Sequence, residues 1–236
     1  MNTVRIYLFI IFLSFNLFVS AQEEPFTLNT KASEESSPSK KQYYLLSPRF
    51  SVTVPHPMGN KSFKKSFVGI YEASGGINLM LYKGFFTGVS FKKGLFKITE
   101  NKIGDYNASM DYNNLAIKVG SDFYVGEKNK AIYSMSLSVG KNWTKYSGIK
   151  TKDPKNPPKY SSFSTYFIEP EMNLFFLIES NFGIGATLSY TVFDAHFDPY
   201  DLVLNEYAKF DRNNAVSSQF ISFGFGFYYS FVPKKK

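Results

Sequence analysis

The sequence has no cysteine. That absence excludes disulfides, cysteine-ligated zinc and a thiol nucleophile, and it means that Gln22 cannot be a lipidated residue after signal cleavage. Histidine is nearly absent, with His56 and His196 alone, and there is a single tryptophan, Trp143. Beyond the first 21 residues no apolar run reaches the length of about 20 residues that a membrane helix needs. Any membrane span in that part of the chain must therefore be made of strands.

Aromatic residues are abundant, with 26 Phe and 17 Tyr, and the formal net charge is +8. The N-terminus indicates the compartment. Met1 to Arg5 is short and basic, Ile6 to Ser20 is apolar with few polar interruptions, and Val19 and Ala21 set small residues before Gln22. This pattern predicts a secretory signal peptide over 1–21. A transmembrane anchor fits less well, because the run is short and no basic stop-transfer cluster follows. For an exported basic chain, lipid phosphate is a more accessible partner than nucleic acid, which is not expected to bind.

Residues 22–42 are polar and rich in Ser, Glu and Lys, and are expected to form a flexible periplasmic lead-in. From residue 43 the texture changes to alternation. In the last such segment Ile221, Phe223, Phe225, Phe227, Tyr229 and Phe231 share one face, while Ser218, Ser222, Gly224, Gly226, Tyr228 and Ser230 share the other. Phe182 to Val192 and Tyr133 to Val139 repeat the period of two, which identifies strands with one apolar side. Helical spacing is missing from these segments.

Eight strands follow, near 43–54, 67–81, 85–98, 113–126, 131–144, 163–178, 182–194 and 217–232. Three connections are short: 82–84, 127–130 and 179–181. Four are long and polar: 55–66, 99–112, 145–162 and 195–216. Strict alternation of short turns and long loops fits an all-β, antiparallel, up-and-down transmembrane barrel over 43–232, with periplasmic turns, extracellular loops and both ends in the periplasm. A basic tail, 233–236, follows it. A soluble lipocalin-like barrel would turn the apolar face inward, but the other face is largely Gly, Ser and Thr, a poor soluble surface. Aromatics also collect at two rims. Tyr82, Phe85, Phe123, Tyr133, Phe182, Tyr229 and Phe231 fall near the periplasmic one, and Trp143, Tyr146, Tyr160, Phe163 and Phe193 near the outer one.

The ending GFYYSF, with Gly226, Tyr229 and Phe231 at the marked positions, resembles the C-terminal assembly signal of outer-membrane barrels. Gly224 stands where a polar residue is usual, and residues 232–236 extend past the final aromatic. In architecture the chain resembles the small OmpA/OmpX-like barrels of Gram-negative bacteria over nearly all of its mature length. The resemblance implies an outer-membrane location, the barrel-insertion machinery as an assembly partner, and outer-membrane lipid and lipopolysaccharide as surroundings.

By alternation Arg49, Glu72, Lys92, Lys118, Asp122, Glu169 and Glu171 point into the lumen. An eight-stranded barrel is filled by its own side chains, so this charge network is expected to pair and plug it; a gated ion or proton path is the alternative. Lys93 and Lys141 would face lipid, which requires either snorkelling at headgroup level or a register-shifting bulge. Lysine-rich loops carry Lys61, Lys64 and Lys65, and Lys150, Lys152, Lys155 and Lys159, which are expected either to meet phosphorylated glycolipid or to be simply solvated.

Evidence for catalysis is slight. Loop 195–216 would lie near His56, and Asp194, His196 and Asp198 could share a face. However, Pro55 and Pro57 around His56 suggest a rigid turn, and no serine has a nucleophile context. The Asn-X-Ser/Thr matches at Asn60, Asn107 and Asn142 are read as chance. No cofactor or metal is expected. The functional expectation is a non-enzymatic outer-membrane barrel with a structural or surface-interaction role. The alternatives are an accessory subunit of a larger secretion or uptake complex and, more remotely, a lipid-modifying enzyme.

Overall fold

A computed structural model describes residues 44–98, 108–126, 130–149, 155, 158, 161–210 and 217–231. Residues 1–43, which include the expected signal peptide and lead-in, residues 99–107, 127–129, most of 150–160, 211–216 and 232–236 lie outside the described residues. Eight strands follow in order: β1 (Leu46–Met58), β2 (Phe67–Tyr82), β3 (Phe85–Ile98), β4 (Ser109–Val125), β5 (Ala131–Ser147), β6 (Ser162–Leu177), β7 (Phe182–His196) and β8 (Ser217–Tyr229). Each pairs antiparallel with its sequence neighbours, and β1 pairs with β8, so the sheet closes into a barrel. Closure leaves no edge strand whose N–H and C=O groups would need water.

Over most of the barrel height the wall is apolar outside and polar inside. Phe225 is 72% exposed, Ile117 67% and Phe50 60%, whereas Ser134, Ser138, Thr191 and Ser222 are buried. Water does not solvate a continuous belt of this kind, because soluble monomers rarely expose apolar patches above a few hundred Å². Hydrocarbon does. At the periplasmic end the β2–β3 turn is made by Lys83 and Gly84, both at positive φ. A Cβ on Gly84 would lie 2.5 Å from the Asp122 carbonyl oxygen, so glycine is required there for space as well as conformation.

Toward the extracellular end the same period of two continues with its polarity reversed. Met110, Tyr112, Tyr146, Phe193 and Phe220 point inward and are buried, while Lys145 and Asp194 on the same strands are exposed. This reversal corrects the strand limits: β4 starts at Ser109, β5 runs to Ser147 and β7 to His196. An alternation with polar residues outside and aromatics inside marks a wall that has left the membrane and encloses a core of the soluble kind. Tyr146 and Phe193 accordingly belong to that core and not to the outer aromatic rim. Phe163 packs against it, and Tyr160 is outside the described residues.

The core is completed from above. Helix α1 (Lys61–Ser66) is capped by Asn60, whose side chain accepts from the Phe63 N–H, and it places Phe63 fully buried against Phe67, Phe96 and Phe197. Leu202 and Leu204, beside a 3₁₀ turn at Leu204–Glu206, close the other side. Burial of a large apolar side chain of this type contributes about 1.5–3 kcal/mol, enough in aggregate to hold short connections inside the mouth.

The proline-flanked His56 is not in a turn. β1 pairs with β8 through Pro55, His56 and Pro57 up to Met58. Pairing of β1 with β2 stops at Thr53↔Glu72, so one edge of β1 has no ladder there, a setting in which proline costs little.

Candidate functional site

All seven charged residues of the expected network point into the barrel and are buried. Lys92 on β3 lies 2.9 Å from Glu72 Oε1 and 2.8 Å from Glu169 Oε2, so one ammonium joins two carboxylates across the lumen. The remaining acceptor sites of that pair are covered by hydroxyls. Thr53 donates to Glu72 at 2.8 Å, Tyr112 donates to the other Glu72 oxygen, and Thr191 donates to Glu169. Tyr112 can reach because its ring lies over Gly94 on the paired strand, where a Cβ would sit 2.2 Å from the ring. Lys118 meets Glu171 at 2.9 Å, and Asn173 donates to the same carboxylate at 2.8 Å.

The third group lies nearer the periplasm. Arg49 pairs with Asp122, donates to Ser134 at 2.7 Å, and has its guanidinium carbon 4.9 Å from the Phe86 ring and 5.3 Å from that of Tyr228. Tyr44, just before β1, donates to Asp122 at 2.6 Å and is 3% exposed. Buried charges are stable only when paired and hydrogen-bonded, and each charged residue here meets that condition. A cavity of about 20 Å³ lies among these groups, lined by residues including Arg49, Asn78, Lys118 and Glu171, with room for about one water. Below it Tyr44, Ile132, Phe175 and Tyr228 form a second apolar cluster. The lumen is thus an ion-pair layer between two apolar layers.

Sequence reasoning found the charges but missed the layers around them. Tyr112 and Phe220 have the parity of lumenal residues, and that signal could have placed them; Tyr44 shares the parity of the outward Phe50 and Val52, so alternation directed it to the wrong face.

The loop lysines differ in their surroundings. Lys61 and Lys64 are exposed on α1, whereas Lys65 donates to the Lys209 carbonyl at 2.6 Å and lies over the Phe210 ring, linking the two connections that fill the mouth. Lys155 is exposed, and Lys150, Lys152 and Lys159 are outside the described residues. Lys93 and Lys141 face outward with continuous register through β3, β4 and β5, which rules out the bulge and leaves them on the outer wall.

His56 and His196 are not brought together. Both flank β8, but opposite Ile221 and Ser217 respectively, and both point outward. Asp198 accepts the Tyr200 N–H and so shapes a turn. Among the described residues no group of three or more His, Asp or Glu side chains is placed to hold a metal ion. Asn142 is buried and donates to Asn114, and Asn60 is the α1 cap, so neither could carry a glycan; Asn107 is outside the described residues. In the C-terminal signal Tyr229 and Phe231 meet edge to face on the outer wall with ring centroids 5.1 Å apart. Gly226 faces inward, where a Cβ would come within 2.9 Å of the Phe175 ring.

A closed hydrogen-bonded wall, an apolar exterior belt and a charged interior define a small eight-stranded transmembrane β-barrel of the outer-membrane type. Solved structures similar to it include Neisserial surface protein A (9% identity, 79% of this chain and 97% of that chain, TM-score 0.47), the outer membrane protein OprG from Pseudomonas aeruginosa (9%, 80% and 97%, 0.45) and Ail, the attachment invasion locus protein of Yersinia pestis (15%, 78% and 97%, 0.42). No family model and no curated protein sequence matches the chain.

Proposed function

We propose that this is a sealed, non-enzymatic barrel whose role is structural or surface-interacting, exercised from its outer wall and its extracellular end. The supporting observation is the filled lumen. Among the described residues four ion pairs occupy its middle and apolar clusters lie above and below them, a filling that does not favour a continuous aqueous path. Opening a path would separate buried pairs, at a cost of about 3–5 kcal/mol for each one broken. The exposed lysines of the extracellular connections, Lys61 and Lys64 among them, are suited to the phosphates of outer-leaflet glycolipid.

Conductance provides the test. The purified protein, reconstituted into planar bilayers under applied voltage, is expected to give no discrete current steps. Reproducible steps that disappear when the barrel is boiled before reconstitution would overturn the reading.

A further inference from the structure

The distribution of strand lysines around the wall is one-sided. β1, β2, β6, β7 and β8 contain none. β4 contributes Lys118 alone, and it points inward. Lys92 also points inward, which leaves Lys93 and Lys97 on β3 and Lys141 and Lys145 on β5, all exposed. These four lie in the extracellular half of two strands separated by one. Were they generic anchors at the membrane boundary, they would be spread around the circumference, because the headgroup layer surrounds the barrel.

Register fixes their arrangement. Lys93 is opposite Asn113, and Asn113 is opposite Trp143; one outward row nearer the membrane, Phe91 and Leu115 lead to Lys141. Neighbouring strands are about 4.8 Å apart and outward rows about 6.8 Å apart, so the Lys93 and Lys141 backbones are about 12 Å apart, with Trp143 beside Lys141 on β5 and level with Lys93. The Lys141 ammonium lies 5.7 Å from the Trp143 ring. Below this level the outward positions of β5 are Tyr133, Met135, Leu137 and Val139, which face hydrocarbon. One acid, Asp111, is opposite Lys145. None of the four lysines has a carboxylate partner within ion-pair distance among the described residues.

Ammonium groups beside hydrocarbon are costly at the membrane midplane and nearly free at its surface, so Lys141 and Lys93, directly above the apolar rows, lie at headgroup level, while Lys145 and Lys97 stand one and two outward rows further out on the wall that has left the hydrocarbon. Acyl chains would lie along the apolar rows beneath it, the indole would sit at the interface, and the lysines would face phosphate. We infer that the outer wall of β3–β5 is a binding site for one phosphorylated glycolipid of the outer leaflet, held by Lys93, Lys97, Lys141 and Lys145 around Trp143. This deepens the surface-acting reading above and rests on it.

The lone tryptophan reports on this surface directly. Full-length protein in maltoside micelles, which carry no phosphate, is titrated with bisphosphorylated lipid A while Trp143 emission is followed. A saturable change is expected, weakened by salt, about tenfold or more weaker with dephosphorylated lipid A and with the K93Q/K141Q variant, and retained in the loop variant K61Q/K64Q. Native mass spectrometry of the same samples should show one bound lipid A. A boiling-dependent gel shift confirms that each variant is folded.

Equal binding by K93Q/K141Q and the unaltered protein would overturn the site. So would loss of binding in K61Q/K64Q alone, which would move recognition to the loop and uphold the surface-acting reading. An equal response to phosphatidylglycerol, or none to lipid A, would overturn the glycolipid assignment, while the sealed lumen would still stand or fall by conductance.

Discussion

Tyr112 on β4 donates its hydroxyl to Glu72 on β2, so a side chain of the aromatic plug ends on a carboxylate of the ion-pair layer. The two layers are therefore coupled: the ring packs beside Phe96, Phe193 and Phe220, and its oxygen satisfies a buried charge. Tyr112→Phe keeps the packing and removes the donor, leaving that Glu72 oxygen with the more distant Ser222 hydroxyl at 3.3 Å. A loss of about 1–3 kcal/mol is expected, read as a lower urea midpoint for unfolding in lipid vesicles. An unchanged midpoint would show that this contact contributes nothing.

Arg49 and Asp122 should behave as a buried pair. Arg49→Met removes the guanidinium and strands a carboxylate that is 4% exposed, so a loss of about 3–5 kcal/mol is expected. Adding Asp122→Leu should restore much of it, because two apolar side chains need no partner. A double variant as unstable as the single one would assign the effect to lost ring contacts with Phe86 and Tyr228 instead.

Asn60 holds two connections together. It caps α1 by accepting from Phe63 at 2.9 Å, and it donates to the Phe197 carbonyl at 3.1 Å. Asn60→Ala should cost about 1–2 kcal/mol, confined to the mouth. Protease added to intact cells is expected to cut the 59–66 or 197–210 connections several-fold faster, with the heat-dependent gel shift unchanged. Equal cleavage rates would mean that the apolar contacts of Phe63 suffice alone.

Phe231 is 52% exposed on the outer wall, where its ring meets Tyr229. Its removal therefore has little effect on the packed interior. Phe231→Ala is expected to reduce the amount of folded barrel in the outer membrane several-fold at equal synthesis, while the urea midpoint of refolded protein changes by less than about 1 kcal/mol. A large drop in stability with normal assembly would contradict the assembly-signal reading of GFYYSF.

The membrane-embedded part of the barrel was legible because lipid imposes a simple rule. Every outward residue there must be apolar, and the alternation of Ile221 to Phe231 states it directly. Beyond the bilayer the rule reverses. Met110 and Tyr112 alternate with Asp111 and Asn113 just as regularly, yet with polar residues outward, and such segments read as loop because they do not continue the greasy face. The α1 plug was equally hidden, since a six-residue helix has too few turns to display a period.

The lumen divides in the same way. Parity alone directed Arg49, Glu72, Lys92, Lys118, Asp122, Glu169 and Glu171 inward, because a closed wall admits two directions and lipid excludes charge from one. Pairing was decided by strand stagger and closure. Those bring Lys92 on β3 to Glu169 on β6, 77 positions away in sequence, and they cluster Lys93, Lys97, Lys141 and Lys145 on one side of the barrel. The sequence by itself determined a strand-built, lipid-facing barrel with a charged interior, since composition and period two respond directly to the solvent on each face. Only the tertiary structure decided which charges meet, that the mouth is plugged, and that the outer lysines share one surface, because those depend on distances between residues remote along the chain.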